Sequence, residues 1–293
     1  MARELQEVLD KLRLQAPKPR ADSATGITAY GVDYAQFCQR VKKLTAIDLE
    51  SYKGQQMHRR LDSYRARQGM PDFVALGNAV QRDSEKLKAL VDFLTINVSE
   101  FFRNQEQWEA LREKILPLLM ENPLKGLKAW SAGSSCGQEA YSLAMMLCEM
   151  GAHRSAILGT DIDEPSLKKA EEGVYTREEA AGIPGPALAE YCVPEGTGFR
   201  AGNTIRRMVT FRRLNLLSDE YPHAMDLVLC RNVLIYFTER GKDQVVHGLV
   251  DSLRPGGVLF TGATEAIFNP AEFGLAQIQP FFYRRGKYET GRR

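Results

Sequence analysis

Apolar residues between Tyr34 and about Leu119 recur at helical spacing, without the alternation that marks strands. Asp33 stands at a capping position before a helix carrying Phe37, Val41 and Leu44. A second helix holds Met57, Leu61 and Tyr64, a third runs from Phe73 to Val80, and a fourth from Ser84 to Ile96. Trp108 to Leu119 repeats the pattern and leads into the first strand. From Lys128 onward the period changes. Short apolar runs at 128–132, 156–160, 226–230, 258–261 and 281–285 alternate with helical patterns at 139–150, from Pro165, and at 239–253. The last of these strands is expected to close the sheet. Such alternation predicts a doubly wound α/β domain behind a small all-α domain. Ahead of both, residues 2–14 place Leu5, Val8, Leu9 and Leu12 on one helical face, and 16–26 form a linker. The expected division is an extension over 1–27, a helical domain over 28–105 and the α/β domain over 106–293.

The unit from Lys128 to Asp163 holds the most specific chemistry. It reads as strand, glycine turn (Gly133-Ser-Ser-Cys-Gly137), helix and second strand, ending on Asp161 and Asp163. A crossover of this kind is right-handed and parallel, with its ligand crevice at the carboxyl ends of the strands. Glycines let the backbone approach a flat ligand, and a carboxylate ending the second strand can hold both hydroxyls of a ribose. Gly133 and Gly137 stand four apart with no third glycine opening the helix, so the three-glycine pyrophosphate fingerprint is missing. That disfavours NAD or FAD and favours a nucleoside without phosphates, such as S-adenosylmethionine. Glu139 would repel a diphosphate but suits a cationic sulfonium and amino group. The plainer reading is a structural crossover with an incidental glycine turn.

Composition narrows the class further. The 293 residues are 44% hydrophobic and 26% charged, ordinary for a globular protein with a large core. A net charge of +2 gives no polyanion signature over the whole molecule, so a nucleic-acid role needs a local patch. No apolar run approaches the roughly 18 residues of a membrane span. The charged start MARELQEVLDKLRLQ is unlike a signal peptide, and the expected localisation is cytoplasmic. Five cysteines without a C-x-x-C pair read as reduced thiols, and four isolated histidines offer no metal-ligand spacing. No metal site is expected. No nucleophile stands beside a histidine partner either, which argues against covalent catalysis.

The second helix is basic, with Lys53, His58, Arg59, Arg60, Arg65 and Arg67, and aromatics only at Tyr52 and Tyr64. Charge runs of this kind are commonly solvated faces. The alternative is a docking face for an acidic protein helix; nucleic acid comes third, because the patch is small and poor in aromatics. The segment 95–103 sets the Phe101–Phe102 pair among Asn97, Ser99 and Arg103, odd for a surface loop. Its plainer reading is a helix cap with a hydrophobic staple.

Three stretches together now carry a family resemblance. N-V-S-E-F-F-R (97–103), W-S-A-G-S-S-C-G-Q-E-A-Y-S (130–142) and L-C-R-N-V-L-I-Y-F (229–237) resemble the CheR-type chemotaxis receptor glutamate O-methyltransferases. T-D-I-D (160–163), N-L-L (215–217), P-G-G-x-L-F-x-G (255–262), Ile47-Asp-Leu and Tyr52-Lys53 fit the same family. The resemblance spans about Val32 to Arg285. It implies a helical N-terminal domain joined to a Rossmann-like S-adenosylmethionine-dependent methyltransferase domain with a small inserted β-subdomain. That subdomain is expected at about 192–212, with strands near Phe199 to Val209. The resemblance implies cofactor contacts from Asn97, Ser99, Arg103, Glu139, Asp161, Asn215, Leu216, Arg231 and Asn232. Arg103 and Tyr236 become the groups that orient the substrate carboxylate. The basic helix, through Lys53, Arg59, Arg60, Arg65 and Arg67, would face the cytoplasmic helical bundle of a chemoreceptor. Monomer is the default expectation. The chain departs from the family pattern at Ala46, where glycine usually stands, and at Ser99, Ala140, Cys192 and the Ser-Ser-Cys turn.

The implied reaction moves a methyl group from a sulfonium to a glutamate oxygen. A glutamate with a pKa of about 4.3 is already ionised at neutral pH, so no general base is required. Three rivals stay open. A methyltransferase for nucleic acid or a small molecule is disfavoured by Cys230-Arg231-Asn232-Val233, which stands where amino-methylating DNA enzymes resemble one another in an Asn/Asp-Pro-Pro-aromatic turn. A non-enzymatic module that binds the cofactor and signals through the helical domain is opposed by the presence of Arg103 and Tyr236. An NAD-dependent oxidoreductase is disfavoured by the glycine spacing.

Overall fold

The computed structural model describes residues 27–94, 99–120 and 123–286. The expected helix over 2–14, its linker, and Asn97 lie outside them. Four helices, α1 (Val32–Thr45), α2 (Gly54–Arg67), α3 (Phe73–Arg82) and α4 (Ser84–Leu94), close around Tyr34, Phe37, Val41, Leu61, Leu76 and Leu90. Gly31, at φ 108, caps α1 instead of Asp33, which falls in the first turn and there complements the helix dipole. The helix ends on Ala46 at φ 61, a left-handed position whose amide donates to the Lys42 carbonyl. Asp72 caps α3 by accepting from the Ala75 amide at 2.7 Å.

The amphipathic run into the second domain is α5 (Gln105–Ala110), a π-helical turn (Leu111–Ile115) and α6 (Leu116–Leu119). The widened turn falls next to Pro117, which has no amide to donate and whose ring crowds the preceding turn.

Strands β1 (Lys128–Ala132), β2 (Ala156–Asp161), β6 (Val209–Arg213), β7 (Met225–Cys230) and β8 (Leu253–Thr261) pair in parallel, joined by α7 (Gln138–Glu149), α8 (Glu164–Glu172) and α11 (Glu239–Ser252). The sheet order is β6-β2-β1-β7-β8-β10-β9, with β9 (Leu275–Gln279) and β10 (Phe282–Arg285) completing it. Its inner faces are apolar on both sides: Trp108, Leu143, Leu147 and Phe260 fill one, Trp130, Val245, Leu249 and Tyr283 the other. Two expectations are corrected. The C-terminal strand does not close the sheet; it lies antiparallel between β8 and β9, and β9 takes the edge. It starts at Phe282 because Phe281 sits in a turn at φ 68.

The inserted sheet is β3 (Val174–Tyr175), β4 (Cys192–Glu195) and β5 (Gly198–Ala201), in the order β3-β5-β4. It begins earlier than position 192, and Val209 belongs to the main sheet, where its partner is Ile157. The short helices α9 (Gly185–Tyr191) and α10 (Asn203–Arg206) flank it. Among the described residues no helix is long and apolar enough to cross a membrane, and no group of His, Cys, Asp and Glu could hold a metal ion.

The helical domain sits over the carboxyl ends of β1, β2 and β7. Tyr52 and Phe237 form an isolated antiparallel bridge with their rings 5.3 Å apart. On either side the Lys53 amide donates to the Tyr236 carbonyl at 3.0 Å and the Thr238 amide to the Ser51 carbonyl at 2.8 Å.

Candidate active site

Between the two domains lies a cavity of about 350 Å³. Asp161 forms part of its wall at the end of β2, where its carboxylate accepts from the Ser135 amide at 2.8 Å and the Asp163 amide at 3.0 Å. Those bonds fix the carboxylate beside the glycine turn. Burial pushes its pKa up, against the pull of the amide donors. Gly133 permits the close approach on the other side of the turn: a Cβ there, at φ 79, would lie 2.4 Å from Val233 Cγ2.

Glu139 stands in the first turn of α7. Ser131 donates to its Oε1 at 2.7 Å, and Arg231 Nη1 lies 3.4 Å from Oε2. Burial pushes this carboxyl up as well, and Arg231 works against that. Glu139 and Asp161, with Glu100, therefore line one cavity whose other lining includes Leu49, Ile162, Leu214 and Leu216. With Arg60, Arg103 and Arg231 on the same wall, these acids set charged groups around an apolar slot that has room for a flat base, a ribose and a cationic tail.

The model of the family described as "CheR methyltransferase, SAM binding domain" matches residues 97–282, and that of "CheR methyltransferase, all-alpha domain" matches 32–95. The chain belongs to the CheR methyltransferase family. It is an S-adenosylmethionine-dependent methyltransferase of chemotaxis. A chemotaxis protein methyltransferase of Listeria monocytogenes is 40% identical over 252 residues, covering 86% of this chain and 96% of its own length. Chemotaxis protein methyltransferase 1 of Pseudomonas aeruginosa is 34% identical, over 89% of this chain and 100% of its own.

Within this CheR fold the residues singled out in the sequence take different places. Ser99, Arg103, Glu139, Asp161, Asn215, Leu216, Arg231, Asn232 and Tyr236 all line the one cavity. Several of their side chains are already engaged. The Arg231 guanidinium, with 2% of its side chain exposed, donates to the Arg103 carbonyl at 2.7 Å and to Gln107 Oε1 at 2.9 Å. Phe260 and Trp108 flank it at 4.7 and 5.6 Å. Arg231 thus holds the segment that bears Arg103. Asn215 spans the domains, donating through Nδ2 to the Ala46 carbonyl at 3.1 Å and accepting from the Leu217 amide at 3.0 Å. Asn232 adopts φ 60, and its backbone amide is bonded to Glu265.

The basic helix α2 divides. Arg60 turns inward, lines the cavity and donates to the Phe93 carbonyl. Burial holds its pKa below the usual arginine range. Arg65 pairs with Asp62 at 2.8 Å and donates to the Pro71 carbonyl at 2.9 Å. Arg59 and Arg67 are exposed, and Arg67 lies 4.9 Å over the Phe93 ring. Lys53 contributes its backbone amide to Tyr236.

Cavity residues that the sequence reading did not assign include Ile47, Leu49, Tyr52, Met57 and Glu100. Ile47-Asp-Leu and Tyr52-Lys53 were the available signals, carried by resemblance alone. The contact of Tyr52 with the Asp161 side of the cavity, where its phenol is pushed up to about 12 by burial, depends on domain docking.

Proposed function

We propose that this chain transfers the methyl group of S-adenosylmethionine to glutamate side-chain carboxylates of chemoreceptors, giving methyl esters. The observation that supports this most is the joint presence of Arg103 and Tyr236 on the cavity that holds Asp161 and Glu139. S-adenosylmethionine supplies an electrophilic methyl group on a sulfonium sulfur. Asp161 is suited to its ribose hydroxyls, Glu139 to its amino group, and Asn97, Ser99, Asn215, Leu216 and Asn232 to its remaining edges. The nucleophile arrives ionised, so the site needs no base. Arg103 and the Tyr236 hydroxyl can hold one oxygen of the incoming carboxylate and leave the other free to attack. Orientation of this kind is worth about 7–11 kcal/mol in favourable cases. Positive charge on Arg60 and Arg103 bears on Tyr236, whose phenol burial pushes up and these arginines pull down. The exposed cations Arg59 and Arg67 supply charge for an acidic helical bundle, with Lys53 at the start of the same helix.

The direct test is incubation with methyl-labelled S-adenosylmethionine and a chemoreceptor cytoplasmic fragment, scoring label released as methanol by mild base. Base-labile label on the receptor is the expected result, and Arg103→Ala should lower turnover roughly tenfold or more with the fold retained. Confirmed cofactor binding without any receptor label would overturn the substrate reading. Near wild-type turnover in Arg103→Ala would remove that residue from the mechanism.

A further inference from the structure

Glu265 lies in the turn after β8, and 6% of its surface is exposed. It is not among the residues lining the cavity. Its carboxylate accepts from three backbone amides: Asn232 at 2.5 Å and Gly262 at 2.9 Å on Oε2, and Ile235 at 3.1 Å on Oε1. Two of the three amides belong to the segment 231–236, which presents Asn232 and Tyr236 to the cavity. The segment has little support of its own: Asn232 is left-handed, and the following Leu234–Tyr236 is a single 3-10 turn. Gly262 makes room for the arrangement, because a Cβ there would lie 2.3 Å from Glu265 Oε2 and 3.0 Å from the Asn232 nitrogen.

A buried carboxylate is costly unless its lone pairs are satisfied, and bonds to an ionised acceptor are roughly twice as strong as neutral ones. Here two of the three donors that the charge recruits lie in the backbone beneath the substrate side of the site, and the third, Gly262, ties them to the end of β8. Arg231 does the complementary work, holding the carbonyl of Arg103 from the residue next to Asn232. Arg103 and Tyr236 are thereby tied to adjacent points at the ends of β7 and β8.

We propose that Glu265 is a positioning residue, whose carboxylate sets the backbone of 231–236 so that Tyr236 faces the methyl acceptor at a fixed distance from Arg103. This inference rests on the role given to those two residues above. Glu265→Gln keeps the shape but turns an amide group toward backbone N–H donors. Calorimetric titration with S-adenosylhomocysteine counts binding-competent sites, and turnover of the receptor fragment is then expressed per site. The expected result is a binding stoichiometry unchanged and a KM within about threefold, with turnover per site lowered roughly tenfold or more. Glu265→Asp, which keeps the charge on a shorter arm, should fall in between. Loss of sites in proportion to activity, with turnover per site intact, would show a merely structural role and overturn the proposal. Should Glu265→Gln fail to fold, Glu265→Asp with wild-type turnover per site would do the same. If the wild-type protein leaves the receptor unlabelled, the substrate reading fails by itself. The positioning claim is then read from hydrogen exchange, where the Asn232 and Ile235 amides should exchange roughly tenfold faster in Glu265→Gln while those of β1 do not change. Equal protection in both proteins would overturn it.

Discussion

Glu139 and Asp161 share a cavity and are both raised in pKa by burial, so each keeps its proton to a higher pH in the fold than in the unfolded chain. The sign follows from linkage. Between the ordinary carboxylate range and the raised values the folded state binds more protons, so the ligand-free protein loses stability as pH rises through that window. A cationic ligand facing Glu139 favours its ionised form, and binding then releases a proton. Affinity for S-adenosylmethionine should therefore rise as pH climbs from the ordinary carboxylate range through the raised one, and level off above it. Calorimetry in buffers of differing ionisation enthalpy would detect the released proton. Glu139→Gln should flatten the profile, and a flat wild-type profile would show that Glu139 does not face the ligand's charge.

At the level of elements, Ala46 is the clearest departure from local preference. It terminates α1 at φ 61, where a side chain costs about 1–2 kcal/mol relative to glycine. Ala46→Gly should raise stability by about 1 kcal/mol, seen as a higher urea midpoint at unchanged slope. No gain would mean that the greater freedom of glycine in the unfolded chain cancels the relief. Sequence alone marked this position as unusual without showing why; the left-handed cap supplies the reason. The same scale separates what could be read in the chain from what could not. Helices α2, α3 and α11 follow from long, strongly periodic runs, and Asp161 and Glu139 from their places at the ends of a strand and a glycine turn. Strand β9 was invisible, because Leu275–Gln279 is five residues with only two strong apolar positions, and the Gly274 and Pro280 that bound it suit a continuous loop equally well. Glu265 was invisible for another reason: its three donors lie up to thirty-three positions away, and only the parallel pairing of β7 and β8 brings them together.

Across the whole molecule, the wall of the cavity is assembled from both domains, and polar contacts that join them run through residues 46, 51–53, 215 and 236–238. A ligand touching both walls should tighten that seam. The Lys53 and Thr238 amides should exchange roughly tenfold more slowly once S-adenosylhomocysteine is bound, because opening the seam would then require ligand release. Unchanged rates would place the ligand against one domain only. That Asp161 and Glu139 come together on one cavity was legible, because both are local to one crossover. The roles of Tyr52 and Arg60 were not, since nothing in the pattern of α2 says which way the helical domain turns.

That shared wall also bears on how the protein handles water. The sheet domain by itself would present its two acids in an open trough, where solvent competes for any activated methyl group. Ile47, Leu49, Tyr52 and Met57 roof the trough from the other domain. Removing that roof would leave Asp161 and Glu139 open to bulk water, which competes for the same carboxylate oxygens that a ligand would occupy.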